Sequence, residues 1–164
     1  MNANAIPSIE SIFFQANAFK LAAQKLTQPG PPNLLLMVAQ IVNSSFSSEL
    51  YLKCIIIIES GDSPHGHDLE KLFNQLKNET KNIIETRWNA ERFQQWAILD
   101  EVDRLAGGPV NARTLRVALA REGKSFESWR YAHEPGKLPN FSLGSLPTIL
   151  NAHILDIKPE LQKF

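Results

Sequence analysis

The sequence predicts an all-α protein, an up-and-down bundle of about five to six helices that forms a single domain over residues 1–164. Apolar residues recur at three- and four-residue intervals through most of the chain, as a buried helical face requires. Gly/Pro clusters punctuate those stretches. No segment alternates apolar and polar residues convincingly enough to supply paired strands. A chain of 164 residues can bury a core without metal or disulfide staples.

Ser8 can cap a first helix whose buried face is Ile9, Ile12, Phe13, Ala16, Phe19, Ala23 and Leu26. Gln28 to Asn33, QPGPPN, stops it. Asn33 can cap a second helix from Leu34 to about Glu59, closed by Gly61, which tolerates the left-handed conformation that follows many helices. Alone, Ile55-Ile56-Ile57-Ile58 favours a strand, because β-branched side chains suit a pleated surface. Leu50, Cys54, Ile57 and Ile58 instead continue the helical face from upstream, and the all-round apolar character near the end marks this as the central helix.

After the loop SGDSPHG, His67 or Asp68 starts a third helix with Leu69, Leu72, Phe73 and Leu76 inward. From Thr80 to Ala106 the inward positions are Ile84, Trp88, Gln95, Leu99, Val102 and Ala106, and polar Gln95 marks a place for a break. Gly107 to Pro109 ends that segment. A short helix from Asn111 to Glu122 turns Leu115, Ala118 and Leu119 inward and carries Arg113 and Arg116 on another face. A last helix spans about Ser145 to Ile157 with Pro147 in its first turn.

Composition narrows the function. The net charge is zero, which removes the strong positive field of non-specific nucleic-acid binders. Locally the chain is polarised: residues 107–138 carry a net +3 and residues 61–106 a net −3. An anion-binding surface would belong to the Arg-rich section, with Arg113, Arg116 and Arg130. Cys54 is the only cysteine, so no intrachain disulfide can form, and between apolar neighbours it is expected to be inert. Apolar runs fall short of the ~18 residues of a membrane span, and the expected setting is the cytoplasm.

Two clusters could carry chemistry. Glu49 and Lys53, four apart, share a helix face as either the floor of a groove or an exposed ion pair. In WRYAHE, Trp129 to Glu134, a helix would align Arg130, His133 and Glu134, so that Glu134 orients the imidazole and Arg130 offers a planar fork for phosphate. Equally, Trp129 and Tyr131 could be core residues and Arg130 a brace paired to Glu134 or Glu49. His65, His67 and Asp68 have donor atoms at close spacing, but a turn also uses His and Asp as caps; no metal and no cofactor is expected.

The stretches SSELYLKCIIIIESGDSPHGHDLEKLFNQL and FESWRYAHE resemble the HEPN family of higher-eukaryote and prokaryote nucleotide-binding domains, over roughly a quarter of the chain. Glu49, Lys53, His67-Asp68-Leu69 and Trp129-Arg130-Tyr131 through Glu134 carry the likeness in the right order. The resemblance implies a helical bundle that commonly forms a symmetric homodimer; Glu49, Lys53, His67, Asp68, Tyr131 and Glu134 are binding candidates on its motifs, and Arg113 and Arg116 on the local charge. Catalytic members are metal-independent endoribonucleases of toxin-antitoxin and defence systems, with an Arg followed after four to six residues by a His. Here Arg130 and His133 are separated by Tyr131 and Ala132 alone, and no other Arg-His pair has the family spacing. The expectation is a non-catalytic module that dimerises and binds a nucleotide, RNA or a protein partner such as an antitoxin or a nucleotidyltransferase. The alternatives are a ribonuclease with Arg130 and His133 as catalytic pair, and a structural dimerisation scaffold.

Overall fold

The computed structural model describes residues 8–27, 33–105, 107–131 and 142–163. These residues form eight α-helices, α1 (Ile9–Leu26), α2 (Leu34–Ser60), α3 (Leu69–Gln75), α4 (Asn78–Phe93), α5 (Trp96–Leu105), α6 (Leu115–Glu122), α7 (Ser125–Arg130) and α8 (Leu146–Ile157), followed by a 3-10 turn over Pro159–Lys163. No strand occurs among the described residues. The helix number exceeds the expected five to six because the segment 80–106 is divided into α4 and α5 and Ser125–Arg130 forms a short helix of its own.

Helix α2 is the hub. It packs along α1 as a hairpin and also meets α3, α7 and α8. Its isoleucines Ile55, Ile56 and Ile57 are buried in helical conformation, as the continuing face predicts. Gly61 ends the helix with φ 76°, donating its N–H to Ile57 O at 2.9 Å. By length and composition, residues 36–60 could cross a membrane, but 72% of the most apolar window is buried inside the bundle. Ser44, Ser45, Ser47, Ser48 and Glu49 are buried upstream of the isoleucines. Small serines let helices approach closely, and the Ser47 hydroxyl donates to Ala16 O on α1 at 2.8 Å. One turn on, Tyr51 donates to Asn17 Oδ1 at 2.5 Å while the Asn151 amide reaches both groups, tying α1, α2 and α8 at one polar point.

The segment 80–106 breaks at Gln94–Gln95, next to the residue that weakened its apolar face. That break rotates the second half: Leu99 stays buried, whereas Val102 is exposed and Gln95 faces solvent. Val102 is therefore not a core residue, and Ala106 lies outside the described residues. Helix α6 begins at Leu115 rather than Asn111 because Asp103 captures the preceding backbone. Its Oδ1 accepts from Val110 N, Asn111 N and Asn111 Nδ2 at 2.9–3.1 Å, and Thr114 caps α6 instead.

Asp68 caps α3 by accepting from Glu70 N and Lys71 N, and the neighbouring Leu69 N–H donates to Gly123 O at 2.8 Å. Backbone thus meets backbone between the start of α3 and the α6–α7 junction. A Cβ on Gly123 would lie 2.8 Å from Leu119 O, 3.0 Å from Asp68 Oδ1 and 3.1 Å from Glu70 N. Overpacking of this kind costs about 1–3 kcal/mol. Gly123→Ala should lower the urea-unfolding free energy by that amount, and an unchanged midpoint would show that the junction is not closed.

Candidate functional site

The site is built where α2, α3 and α7 converge. Phe46, Glu49 and Lys53 stand three and four residues apart on α2 and so form one stripe. Glu49 is 1% exposed, which makes the pair with Lys53 far more than the surface ion pair that the spacing alone allows. Its Oε1 accepts from Lys53 Nζ at 2.8 Å, and both of its oxygens lie within hydrogen-bond distance of His67 Nδ1, at 2.9 and 3.0 Å. An ionised carboxylate out of water needs compensation of this kind, from charge and from directed hydrogen bonds.

His67 reaches Glu49 from the residue before the α3 cap, so the cap that starts α3 also aims the imidazole. With Nδ1 on the carboxylate, Nε2 is the ring nitrogen left for a ligand, and the side chain is 52% exposed. The imidazole lies 5.9 Å from the Phe126 ring. Phe126 in turn stacks on Phe46 at 5.0 Å, and Phe46 meets Phe19 edge-on at 4.6 Å. These three rings run from α1 through α2 to α7.

Arg130 falls one turn after Phe126 and lays its guanidinium over that ring at 4.9 Å, with the Tyr131 ring 5.5 Å away. Arg130 and Tyr131 are exposed, and among the described residues Arg130 has no carboxylate partner. Such a planar cation on aromatic faces retains outward N–H donors for an oxyanion. Lys53 additionally lines a cleft of about 310 Å³ between α1, α2 and the loop before α3, with Leu50 and Ile57 as apolar walls.

The structure therefore joins Glu49, Lys53 and His67 by hydrogen bonds and links His67 to Arg130, with Tyr131 beside it, through the ring of Phe126. Asp68 belongs to the scaffold, as the α3 cap. Arg113 and Arg116 are engaged elsewhere: Arg113 pairs with Asp100 at 2.8 Å and with Asp103, while Arg116 pairs with Glu85 at 2.5 Å and covers the Phe73 ring. Much of the local positive charge near residue 115 is thus neutralised by α4 and α5. His133 and Glu134 lie outside the described residues, so the alignment expected of them with Arg130 is not part of this geometry. Cys54 is buried, and burial, with a smaller effect of Glu10, pushes its thiol up to about 12, leaving it an inert group.

No group of three or more His, Cys, Asp and Glu side chains is placed to hold a metal among the described residues. At Glu49 the third partner is an ammonium group. Phe46 and Phe126 escaped the sequence reading as site residues, although Phe126 stands four before Arg130 and Phe46 three before Glu49, spacings that place each pair on one face.

A family model for the HEPN domain matches residues 9–104. The matched span holds Glu49, Lys53, His67 and Asp68, while Arg113, Arg116, Arg130 and Tyr131 follow it. No curated protein and no solved structure gives a significant match to the chain.

Lys53→Ala would leave the buried carboxylate with one neutralising neighbour fewer, and loss of a charged hydrogen bond at a buried acid costs about 1–3 kcal/mol. His67→Ala removes a half-exposed partner and should cost less than about 1 kcal/mol. Urea titration of the two variants should reproduce that order; equal losses would contradict the central place given to Lys53.

Proposed function

The chain belongs to the HEPN family, and from that premise we propose a non-catalytic module that dimerises and binds RNA or a nucleotide on the face formed by α2, α3 and α7. The observation that carries this reading is Arg130, exposed, stacked on Phe126 and without a carboxylate partner among the described residues. Its guanidinium is shaped for a phosphate. Tyr131 and the half-exposed His67 flank it, and an aromatic plane beside a cation is the usual means of holding an unpaired base next to its phosphate. The zero net charge of the chain agrees with local, rather than diffuse, capture of the polyanion. A cytoplasmic setting and a protein partner of the toxin, antitoxin or nucleotidyltransferase kind complete the proposal.

Dimerisation is supported by α5. Ile98, Val102 and Leu105 stand at intervals of four and three and are 69%, 42% and 71% exposed. That stripe is an apolar face of the kind that self-association covers. Sedimentation of the wild-type chain should give a dimer and that of Ile98→Asp a monomer with unchanged helicity; a dimer that survives the substitution would locate the interface elsewhere.

The Glu49–His67 contact favours one second reading. A buried carboxylate on Nδ1 fixes the tautomer in which Nε2 can accept a proton, the arrangement of a general base. In a metal-independent ribonuclease this would be the role of His67, in place of His133, with Arg130 stabilising the charge on phosphorus. One titration separates the readings. Single-stranded RNA incubated with the protein in EDTA should be bound and remain intact. Arg130→Ala should weaken binding about tenfold, a loss of about 1.4 kcal/mol, and reduce the salt dependence by about one counterion. Cleavage abolished by His67→Ala would instead establish the enzyme, and binding indifferent to Arg130→Ala would remove the site.

A further inference from the structure

A second cation lies in a cleft that the α7 surface does not use. Arg92, near the end of α4, directs Nε to Ala112 O at 3.1 Å, Nη1 to Gln95 Oε1 at 3.3 Å and Nη2 to Asn111 Oδ1 at 3.4 Å. All three acceptors are neutral, and Arg92 has no ion pair among the described residues. A guanidinium has five N–H donors, so two remain after these bonds. The Trp88 ring lies 5.6 Å from its Cζ and helps to hold the plane in place.

Arg92 lines a cleft of about 390 Å³ together with Glu91, Gln95, Ser142, Gly144 and Ser145. Gln95 accepts from Arg92 through Oε1, which leaves its amide N–H groups as the end available to an occupant. Ser145 precedes α8 but does not cap it with its side chain, so its hydroxyl is not used by the helix. The first turn of α8 adds a partial positive charge of the same sign. Glu91 also lines the cleft, and the buried Glu122 stands behind Ser142, whose N–H it accepts at 2.5 Å. Net charge alone therefore does not hold an anion here. The donors that line it come from α4, the α4–α5 turn and the start of α8, so an occupant would have to offer acceptor oxygens in several directions.

We infer that this cleft is a phosphate-binding site, with Arg92, Gln95 and Ser145 as its donors. A planar carboxylate meets a guanidinium as well as a phosphate does, but a tetrahedral group also reaches donors on the two other walls. The phosphate comes either free or as the 5′ end of an RNA, and the chemistry at Arg92 is the same for both.

Calorimetric titration of the full chain tests this with three probes: orthophosphate, a short 5′-phosphorylated RNA, and the same RNA with a 5′-hydroxyl. Orthophosphate should bind, and Gln95→Glu, at an exposed position, and Ser145→Asp, at a half-buried position just before α8, should weaken it about tenfold or more by placing negative charge against the ligand. Arg92→Lys, which keeps the charge and loses the fork, should weaken it as well. In an Arg130→Ala background the same cleft variants should still lower orthophosphate affinity, and in the wild-type background they should leave binding of the 5′-hydroxyl RNA intact, which separates failure of this site from failure of the α7 surface. A preference for the phosphorylated RNA that disappears in Ser145→Asp identifies the RNA end as the source; orthophosphate binding without such a preference identifies free phosphate. No orthophosphate binding by the wild-type chain, or binding unchanged in all three cleft variants, overturns the inference.

Discussion

The carboxylate of Glu49, enclosed within the central helix, is the constraint from which the rest of the site follows. A charge withdrawn from water is tolerable only if partners of opposite sign or with directed hydrogens meet it. One partner, Lys53, comes from the same helix and requires only helical geometry. The other, His67, is delivered across the loop after Gly61 by the Asp68 cap that starts α3. Because Leu69 N–H then bonds to Gly123 O, the position of α3 determines the position of the α6–α7 junction. Arg130 is thereby placed by a chain of short-range bonds that starts at an acid far from it in sequence.

Above this polar base the rings do a different task. Phe19, Phe46 and Phe126 join three helices by ring contacts of 4.6 and 5.0 Å. Edge and stacked contacts of this type are modest individually but specific in geometry. They bring His67 and Arg130 to a single residue, Phe126. The result sets exposed polar tips on an apolar support, the arrangement on which the proposed binding of a base and its phosphate rests.

The fold was legible in the sequence wherever one face of a helix sufficed to define it. The four isoleucines of α2 are a case in point: their local preference for a strand is overridden by a face that begins many residues upstream. Polar Gln95 signalled the break between α4 and α5, but not that Val102 would turn outward as a consequence. The start of α6 was beyond local reasoning, because Asp103 reaches Val110 and Asn111 from another helix. Within the site, the spacing of Glu49 and Lys53 made the pair visible and left its burial hidden. Burial depends on α1 and α7 closing over α2. Arg113 and Arg116 looked available because their acids, Asp100, Asp103 and Glu85, are neighbours only in space.

The polar point where Tyr51, Asn17 and Asn151 meet has a bearing on where the working unit ends. Asn151 belongs to α8, which lies beyond the residues that match the family model. That helix lays Leu146, Leu150 and Ile154 into the common core. A fragment trimmed to the matched span would lose this wall, leaving the Tyr51 hydroxyl short of a neighbour and one side of the hub open to water. The recognisable segment thus shares one core with the last helix, which lies outside the match.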